Sequence, residues 1–239
     1  MEYKYLRGIN DIMGYKNILV VDINPKKACN FNCIYCPIGE TDIWLNKRKE
    51  FFPVNEIFNE INNFVQENKE VTGTILTRSG EPALYKGFGK LAKKIREKFP
   101  EFIIMAYSNA SLLHLKEVQE DFSLCDVIGC NLNSTFNDEF QKISRPHNEV
   151  ILRNILDGIL EFSKHYRGIL RIDTKFVPEL NDTERNIDGL LDYLRKVQPN
   201  TYTVIGRKHK GKQLSKEFND LIREKMVDLP FPTQLILGD

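Results

Sequence analysis

The sequence is short of the features that would place it in a specialised class. Lysine and arginine number 34 against 33 aspartates and glutamates, a formal net charge of +1. No excess of positive charge advertises a polyanionic partner, and nucleic acid is a possible partner that the charge balance does not support. Glycine and proline, 14 and 10 of 239 residues, are too sparse for a collagenous or low-complexity chain. No stretch approaches the roughly 20 apolar residues that a membrane span requires. The opening Met1-Glu2-Tyr3-Lys4-Tyr5-Leu6-Arg7 lacks the apolar core of a signal peptide, so the expectation is a cytoplasmic chain with no membrane attachment. The remaining composition, 41% hydrophobic and 28% charged, is that of a globular protein with a full core.

Histidine is scarce, and His114, His147, His165 and His209 are dispersed. The five cysteines are an odd number, which excludes a fully paired disulfide framework. Three of them, Cys29, Cys33 and Cys36, crowd into one short segment. In a reducing compartment such a cluster ligates metal or does redox chemistry. Cys125 and Cys130 read as small core residues.

Along the chain, short β-branched runs alternate with helical patterns, the rhythm of a βα repeat. Strands are expected at Ile18 to Ile23, Thr74 to Thr77, Ile103 to Tyr107, Asp126 to Leu132, Ile169 to Val177 and Thr201 to Ile205. Apolar residues spaced by three and four predict helices around Val54 to Val65, Phe88 to Phe99, Leu152 to Ile159, Ile187 to Leu194 and Phe218 to Ile222, with a short one near Leu115 to Phe122. Pro53 opens the first of these, and Asn181-Asp182-Thr183 offers caps ahead of Glu184. Strands joined by crossover helices make a parallel sheet. Eight βα units take about 250 residues, so six of them predict an α/β fold with a partial (β/α)6, TIM-like barrel, an open doubly wound sheet being the alternative. The expected organisation is one domain over residues 1–239, its core about 17–226, with short N- and C-terminal extensions. The tail Phe231 to Leu237 offers an edge strand, against which its prolines speak.

The first expected strand runs into Cys29-Asn30-Phe31-Asn32-Cys33-Ile34-Tyr35-Cys36, placing three thiols at a strand's C-terminal end, where βα folds put their chemistry. Structural zinc wants four ligands, commonly as two paired arms, and no second arm is evident; zinc is the weaker reading. A 4Fe-4S cluster held by three cysteines leaves one iron open to an exogenous ligand and is the stronger one.

At this point the sequence resembles the radical S-adenosylmethionine enzymes. Their hallmark is the C-x3-C-x2-C loop after the first strand of a partial barrel, with an aromatic residue before the last cysteine, here Tyr35. Ser79-Gly80-Glu81-Pro82 is similar to the family's Gly-Gly-Glu-Pro, whose polar backbone meets the cofactor's amino group. Ser108-Asn109-Ala110 is similar to its Thr-Asn-Gly, and Asn131-Leu132-Asn133 to a Ser-Leu-Asp near the ribose. The resemblance runs from about Asn24 to Gly206. Cys36 to Thr41, Ser79 to Leu84, Ser108 to Leu113, Ser144-Arg145-Pro146-His147 and Asn181-Asp182 look like the subgroup related to the tRNA wybutosine-synthesis proteins. Three departures stand out: Arg78 replaces a small residue, Asn133 replaces an acid, and Asp11-Ile12-Met13-Gly14 lies where an Arg-Arg-Leu-Gly is often found.

The resemblance implies a three-cysteine 4Fe-4S cluster on Cys29, Cys33 and Cys36 that reductively cleaves S-adenosylmethionine to methionine and a 5'-deoxyadenosyl radical, which takes hydrogen from a substrate. It implies cofactor contacts for Tyr35, Ser79, Gly80, Glu81, Asn109, Asn131, Asn133 and Gly206. In the fifth strand, alternation puts Leu170, Ile172, Thr174 and Phe176 on one face and Arg171, Asp173 and Lys175 on the other. A merely structural core would pay several kcal/mol per unpaired ion, so Arg171, Asp173 and Lys175 are the candidate catalytic residues, the competing reading being an internally paired ionic ladder. His147 either lines the site or caps the helix after it. Lys47-Arg48-Lys49 with Lys26 and Lys27 reads as a solvated face, or as a dock for an acidic, low-potential electron donor, a flavodoxin or ferredoxin. The substrate, macromolecular or small, is left open among RNA, peptide or protein and small molecule. Glycyl-radical-enzyme activation is one subclass, and a non-enzymatic Fe-S electron carrier or zinc protein is the alternative from another class.

Overall fold

A computed structural model describes residues 3–237. Its strands are β1 (Leu6–Ile12), β2 (Tyr15–Val21), β3 (Ala28–Cys29), β4 (Ile43–Trp44), β5 (Gly73–Leu76), β6 (Ile103–Ser108), β7 (Val127–Asn131), β8 (Ile169–Phe176), β9 (Thr201–Gly206) and β10 (Thr233–Ile236). Its helices are α1 (Val54–Glu67), α2 (Phe88–Lys98), α3 (Lys116–Phe122), α4 (Asn137–Ser144), α5 (Leu152–His165), α6 (Glu184–Val197) and α7 (Lys216–Met226). Eight strands form one sheet in the order β1-β2-β5-β6-β7-β8-β9-β10. Every neighbouring pair from β2 to β10 is parallel. At least one helix connects each parallel pair, as parallel pairing demands. The sheet stays open between β1 and β10, making it a partial barrel.

The six anticipated strands are β2 and β5 to β9. Leu19, Val21, Leu76, Ile104, Ile128 and Ile172 on their outer face join one large core with the helices. Ile57 and Ile61 of α1 and Leu190, Leu191 and Leu194 of α6 supply the matching stripes. Thr183 is the residue that caps α6, its Oγ1 accepting from the Asn186 amide at 3.1 Å.

β1, β3, β4 and α4 go beyond the sequence reading. β1 pairs antiparallel with β2, across a turn in which Met13 and Gly14 both have positive φ, 54° and 88°, the requirement of a tight hairpin. α4 lies in what read as loop. The tail does become an edge strand: Pro232 sits just ahead of β10, where it costs no ladder donor, and its carbonyl accepts from Tyr202 at 2.9 Å.

Candidate active site

Parallel register stacks the inward side chains into floors. At the N-terminal end Val20 faces Ile75, Ile75 faces Met105 and Met105 faces Val127, and with Ile18 they form a buried apolar cluster closed by Ile12, Met13 and Tyr15. One step further along, Tyr107 faces Gly129 and Gly129 faces Arg171. A side chain at Gly129 would meet the Tyr107 ring at 2.4 Å. Above this, Asn131 faces Asp173 and Asp173 faces Thr203, and the floor is polar.

The cysteine loop crosses the C-terminal mouth. Cys29 ends β3, which pairs with β4 so that Cys29 faces Trp44. The loop is tied to the strand ends at several points. The Glu81 amide donates to the Ala28 carbonyl at 3.0 Å, and a Cβ at Gly80 would lie 2.1 Å from that oxygen; only glycine permits the approach. The Glu81 carboxylate is buried and accepts from the Ser108 hydroxyl at 2.6 Å, the Asn109 amide at 2.7 Å and the Ala83 amide at 3.0 Å. Burial lifts its pKa to about 7 despite these three donors. The Asn109 side chain donates to Asn30 Oδ1 at 2.8 Å and lies 3.7 Å from Cys29 Sγ. Asn133 Nδ2 donates to the Tyr35 hydroxyl at 2.7 Å, while its Oδ1 accepts from the Lys175 amide at 2.8 Å.

All three thiols are free and partly buried. Burial, with Glu81 nearby, pushes Cys29 up to about 12, and burial pushes Cys33 up to about 11. Both thiols thus favour the neutral form, and a metal cation held among them would favour the thiolates. Among the described residues no three His, Cys, Asp or Glu side chains converge as a single ion needs. A cubane, with separate irons, asks for thiols disposed around it. Three soft thiols in one loop are the donor set of a cluster with one open iron and are one short of the four ligands that structural zinc takes.

On the polar floor, the Tyr107 hydroxyl lies 2.5 Å from Asp173 Oδ2, 2.5 Å from Lys175 Nζ and 2.9 Å from Asn131 Oδ1. Lys175 also donates to Asn131, and its ammonium lies 3.8 Å from Asp173 and 4.8 Å from the Tyr107 ring centroid. Burial pulls the Lys175 amine down to about 8, against the pull of Asp173. Arg171 donates to Thr203 at 3.3 Å. The ladder is incomplete: Arg171 Nε and Asp173 Oδ1 are buried without a partner among the described residues. Buried orphans of opposite polarity mark a place for a ligand carrying both donors and acceptors.

The expected residues thus gather at one mouth: Cys29, Cys33, Cys36 and Tyr35 on the loop, Ser79, Gly80, Glu81 and Asn109 below it, and Asn131, Asn133, Arg171, Asp173 and Lys175 on the strands. Gly206 ends β9 beside Arg207, lining a small hollow with Lys208 and Leu214. Cys125 and Cys130 are buried in the outer core. His147 packs against Trp44, ring centroids 5.7 Å apart. The basic run is not one solvated face. Lys27 is 4% exposed and donates to the Gly39 carbonyl, and Arg48 pairs with Asp121 while donating to the Ala83 and Tyr85 carbonyls. Both cations are pulled inward by carbonyl or carboxylate oxygens, which leaves Lys26, Lys47 and Lys49 exposed.

Sequence reasoning missed Tyr107, which centres the polar floor, and Asp22, which accepts from the Ser79 hydroxyl at 2.6 Å and lies 3.4 Å from Arg7. Their signal was strand alternation, applied only to the fifth strand. A cavity of about 510 Å³ lies away from the cysteines, between α1 and α2.

The sequence model of the family described as the Radical SAM superfamily matches residues 23–203. UPF0026 protein slr1464 of Synechocystis sp. is 32% identical over 204 residues, covering 85% of this chain and 75% of that protein. GTPase Obg of Brachyspira hyodysenteriae is 26% identical over 210 residues, 87% of this chain but 31% of that protein, so this chain spans under a third of that relative's length. The solved structure of TYW1 with a lysine-pyruvate adduct bound superimposes with a TM-score of 0.65 at 18% identity, covering 90% of this chain and 74% of that one; at that identity the likeness concerns the fold.

Proposed function

Because this chain belongs to the radical S-adenosylmethionine superfamily, we propose that Cys29, Cys33 and Cys36 hold its 4Fe-4S cluster and that hydrogen is abstracted from a substrate bound over the polar floor of the barrel. When bound, the cluster supplies the electron that cleaves S-adenosylmethionine to methionine and the abstracting 5'-deoxyadenosyl radical. The observation that carries this reading is the pinning of the three-thiol loop onto the strand ends through Ala28, Gly80 and Glu81.

The residues divide the work. The Glu81 carboxylate is spent on Ser108, Asn109 and Ala83. Its part is to hold the loop, leaving the polar backbone of Ser79 and Gly80 to meet the cofactor's amine. Lys175 and Arg171 are the cations for the cofactor's carboxylate, and Asp173 Oδ1, unpartnered, accepts from cofactor or substrate. Asn131 and Asn133 face the ribose, Tyr35 and Gly206 border the adenine, and Asn109 steadies the loop at Cys29. The exposed side chains of Ile38 and Trp44, 43% and 44%, with Lys47 and Lys49, form the face where a flavodoxin or ferredoxin delivers its electron. The open side between β1 and β10 admits a small molecule, an RNA or a protein loop, glycyl-radical activation among them.

The test is anaerobic reconstitution, addition of S-adenosylmethionine and dithionite, and quantification of 5'-deoxyadenosine by mass spectrometry. Wild type is expected to form it and Cys33→Ala to form none. A sound, reduced wild-type cluster that neither binds nor cleaves S-adenosylmethionine would return the protein to the electron-carrier class.

A further inference from the structure

We propose that the cleft between β1 and the start of the cysteine loop is a subsite for a phosphate monoester carried by a hydroxylated substrate, such as a sugar phosphate or nucleotide. This rests on the reading of the barrel mouth as the active site. The cleft measures about 390 Å³ and is lined by Arg7, Asp22, Asn24, Lys26, Arg78 and Ser79 among others, but by none of the three cysteines.

Its charges do not balance internally. Asp22, the acid in the lining, is already engaged by the Ser79 amide at 3.2 Å, the Ser79 hydroxyl at 2.6 Å and Arg7 at 3.4 Å. Lys4 at the rim is paired with Glu56 at 3.3 Å. Lys26 and Arg78 are exposed, and neither has a side-chain partner among the described residues. Two uncompensated cations match the charge of a phosphate monoester above its second pKa, near 6, better than the single charge of a carboxylate. The arginine fork also suits phosphate oxygens. Lys26 is held with φ at 46°, a backbone conformation unfavourable for a residue with a Cβ.

The second observation is a neutral one. Asn24 is 3% exposed, and its Nδ2 donates to the Glu81 carbonyl at 3.1 Å. Its Oδ1 is buried with no partner among the described residues. A buried acceptor left empty beside two free cations asks for a ligand with an anion and a donor a few bonds apart, which is a phosphate next to a hydroxyl. Ser79 lines this cleft and also begins the Gly80-Glu81 segment, so a phosphate seated here lies beside the segment that ties down the cysteine loop.

The experiment uses the reconstituted protein saturated with S-adenosylmethionine, with inorganic phosphate, ribose 5-phosphate and ribose as probes in equilibrium dialysis. Ribose 5-phosphate is expected to bind at least tenfold tighter than ribose and severalfold tighter than inorganic phosphate, weakening below pH 6 as the dianion is lost. Lys26→Ala with Arg78→Ala should weaken it at least tenfold, Arg78→Lys should weaken it less than Arg78→Ala, and Lys164→Ala on the distant α5 should leave it unchanged. Iron content and the visible spectrum of the cluster verify that each variant is folded. Undiminished binding in the double variant, equal affinity for ribose and its phosphate, or displacement of S-adenosylmethionine by ribose 5-phosphate would each overturn the proposal. An oligoribonucleotide that binds equally with and without its 5'-phosphate would also overturn it, by assigning these cations to a phosphodiester backbone. The 5'-deoxyadenosine assay contains no phosphate ester, so failure of the subsite and failure of the radical reading give separate results.

Discussion

The two ends of the barrel lumen use the same strands for opposite purposes. On β6, Met105 is wholly buried among Ile18, Val20, Ile75 and Val127, while Tyr107, two residues on, places its hydroxyl among Asp173, Lys175 and Asn131. On β7 the inward positions pass from Val127 through Gly129 to Asn131, and on β8 from Ile169 through Arg171 and Asp173 to Lys175. One pleat repeat separates a floor that excludes water from one that holds two unpaired polar atoms. The apolar end contributes stability; the polar end gives part of it up to keep charged groups at the mouth, where we have proposed that the substrate binds.

If that division is right, mutations at the two ends should fail differently. The largest effect is expected from Met105→Ala, which removes a buried side chain from the plug and should cost about 3 kcal/mol. Urea unfolding would read this, while the fraction that remains folded keeps its affinity for S-adenosylmethionine; a folded variant that no longer binds the cofactor would erase the distinction between the floors. Next, Lys175→Met should weaken S-adenosylmethionine about tenfold, or about 1.4 kcal/mol, with little loss of stability. Its pH dependence sharpens the point. With the amine pulled down to about 8, Lys175 is charged below that pH and neutral above it, so the wild-type affinity should fall as pH rises through 8. Lys175→Arg should remove that fall, and an unchanged wild-type profile from pH 7 to 9 would count against the carboxylate role. The smallest effect is expected from Tyr107→Phe, about 1 kcal/mol in unfolding, because Lys175, already 3.8 Å from Asp173, takes over the vacated contact.

Strands with apolar residues on both faces were legible in the sequence. Ile18 to Val21 and Val127 to Ile128 read as β-branched runs because the plug and the outer core both claim them. β1 was not, since only Leu6 of Leu6–Ile12 is buried; an edge strand with exposed flanks has too little apolar signal, and its evidence lay in the Met13-Gly14 turn. α4 is eight residues with Phe140 and Ile143 as its buried apolar positions, too short for a periodicity to emerge. At the site, the cysteine loop and the polar face of β8 were readable because each lies in one contiguous segment. Tyr107, Asp22 and Asn24 were not, because their meaning depends on which residue of another strand stands beside them, and register between parallel strands is set by packing across long crossovers. Lys27 and Arg48 were misjudged for the same reason: charge in a sequence says nothing of the carbonyls that the fold brings to meet it.

With the cluster on Cys29 as proposed, the pairing of β3 with β4 also equips the protein with an optical gauge. Trp44 is the chain's one tryptophan, and it stands in strand register with Cys29. An iron-sulfur chromophore absorbs where indole emits, so energy transfer over so short a span should darken the emission as the loop is loaded. Fluorescence at a single wavelength would then follow metal insertion and oxidative loss in real time, without a label and without turnover, and Trp44→Phe would supply the blank.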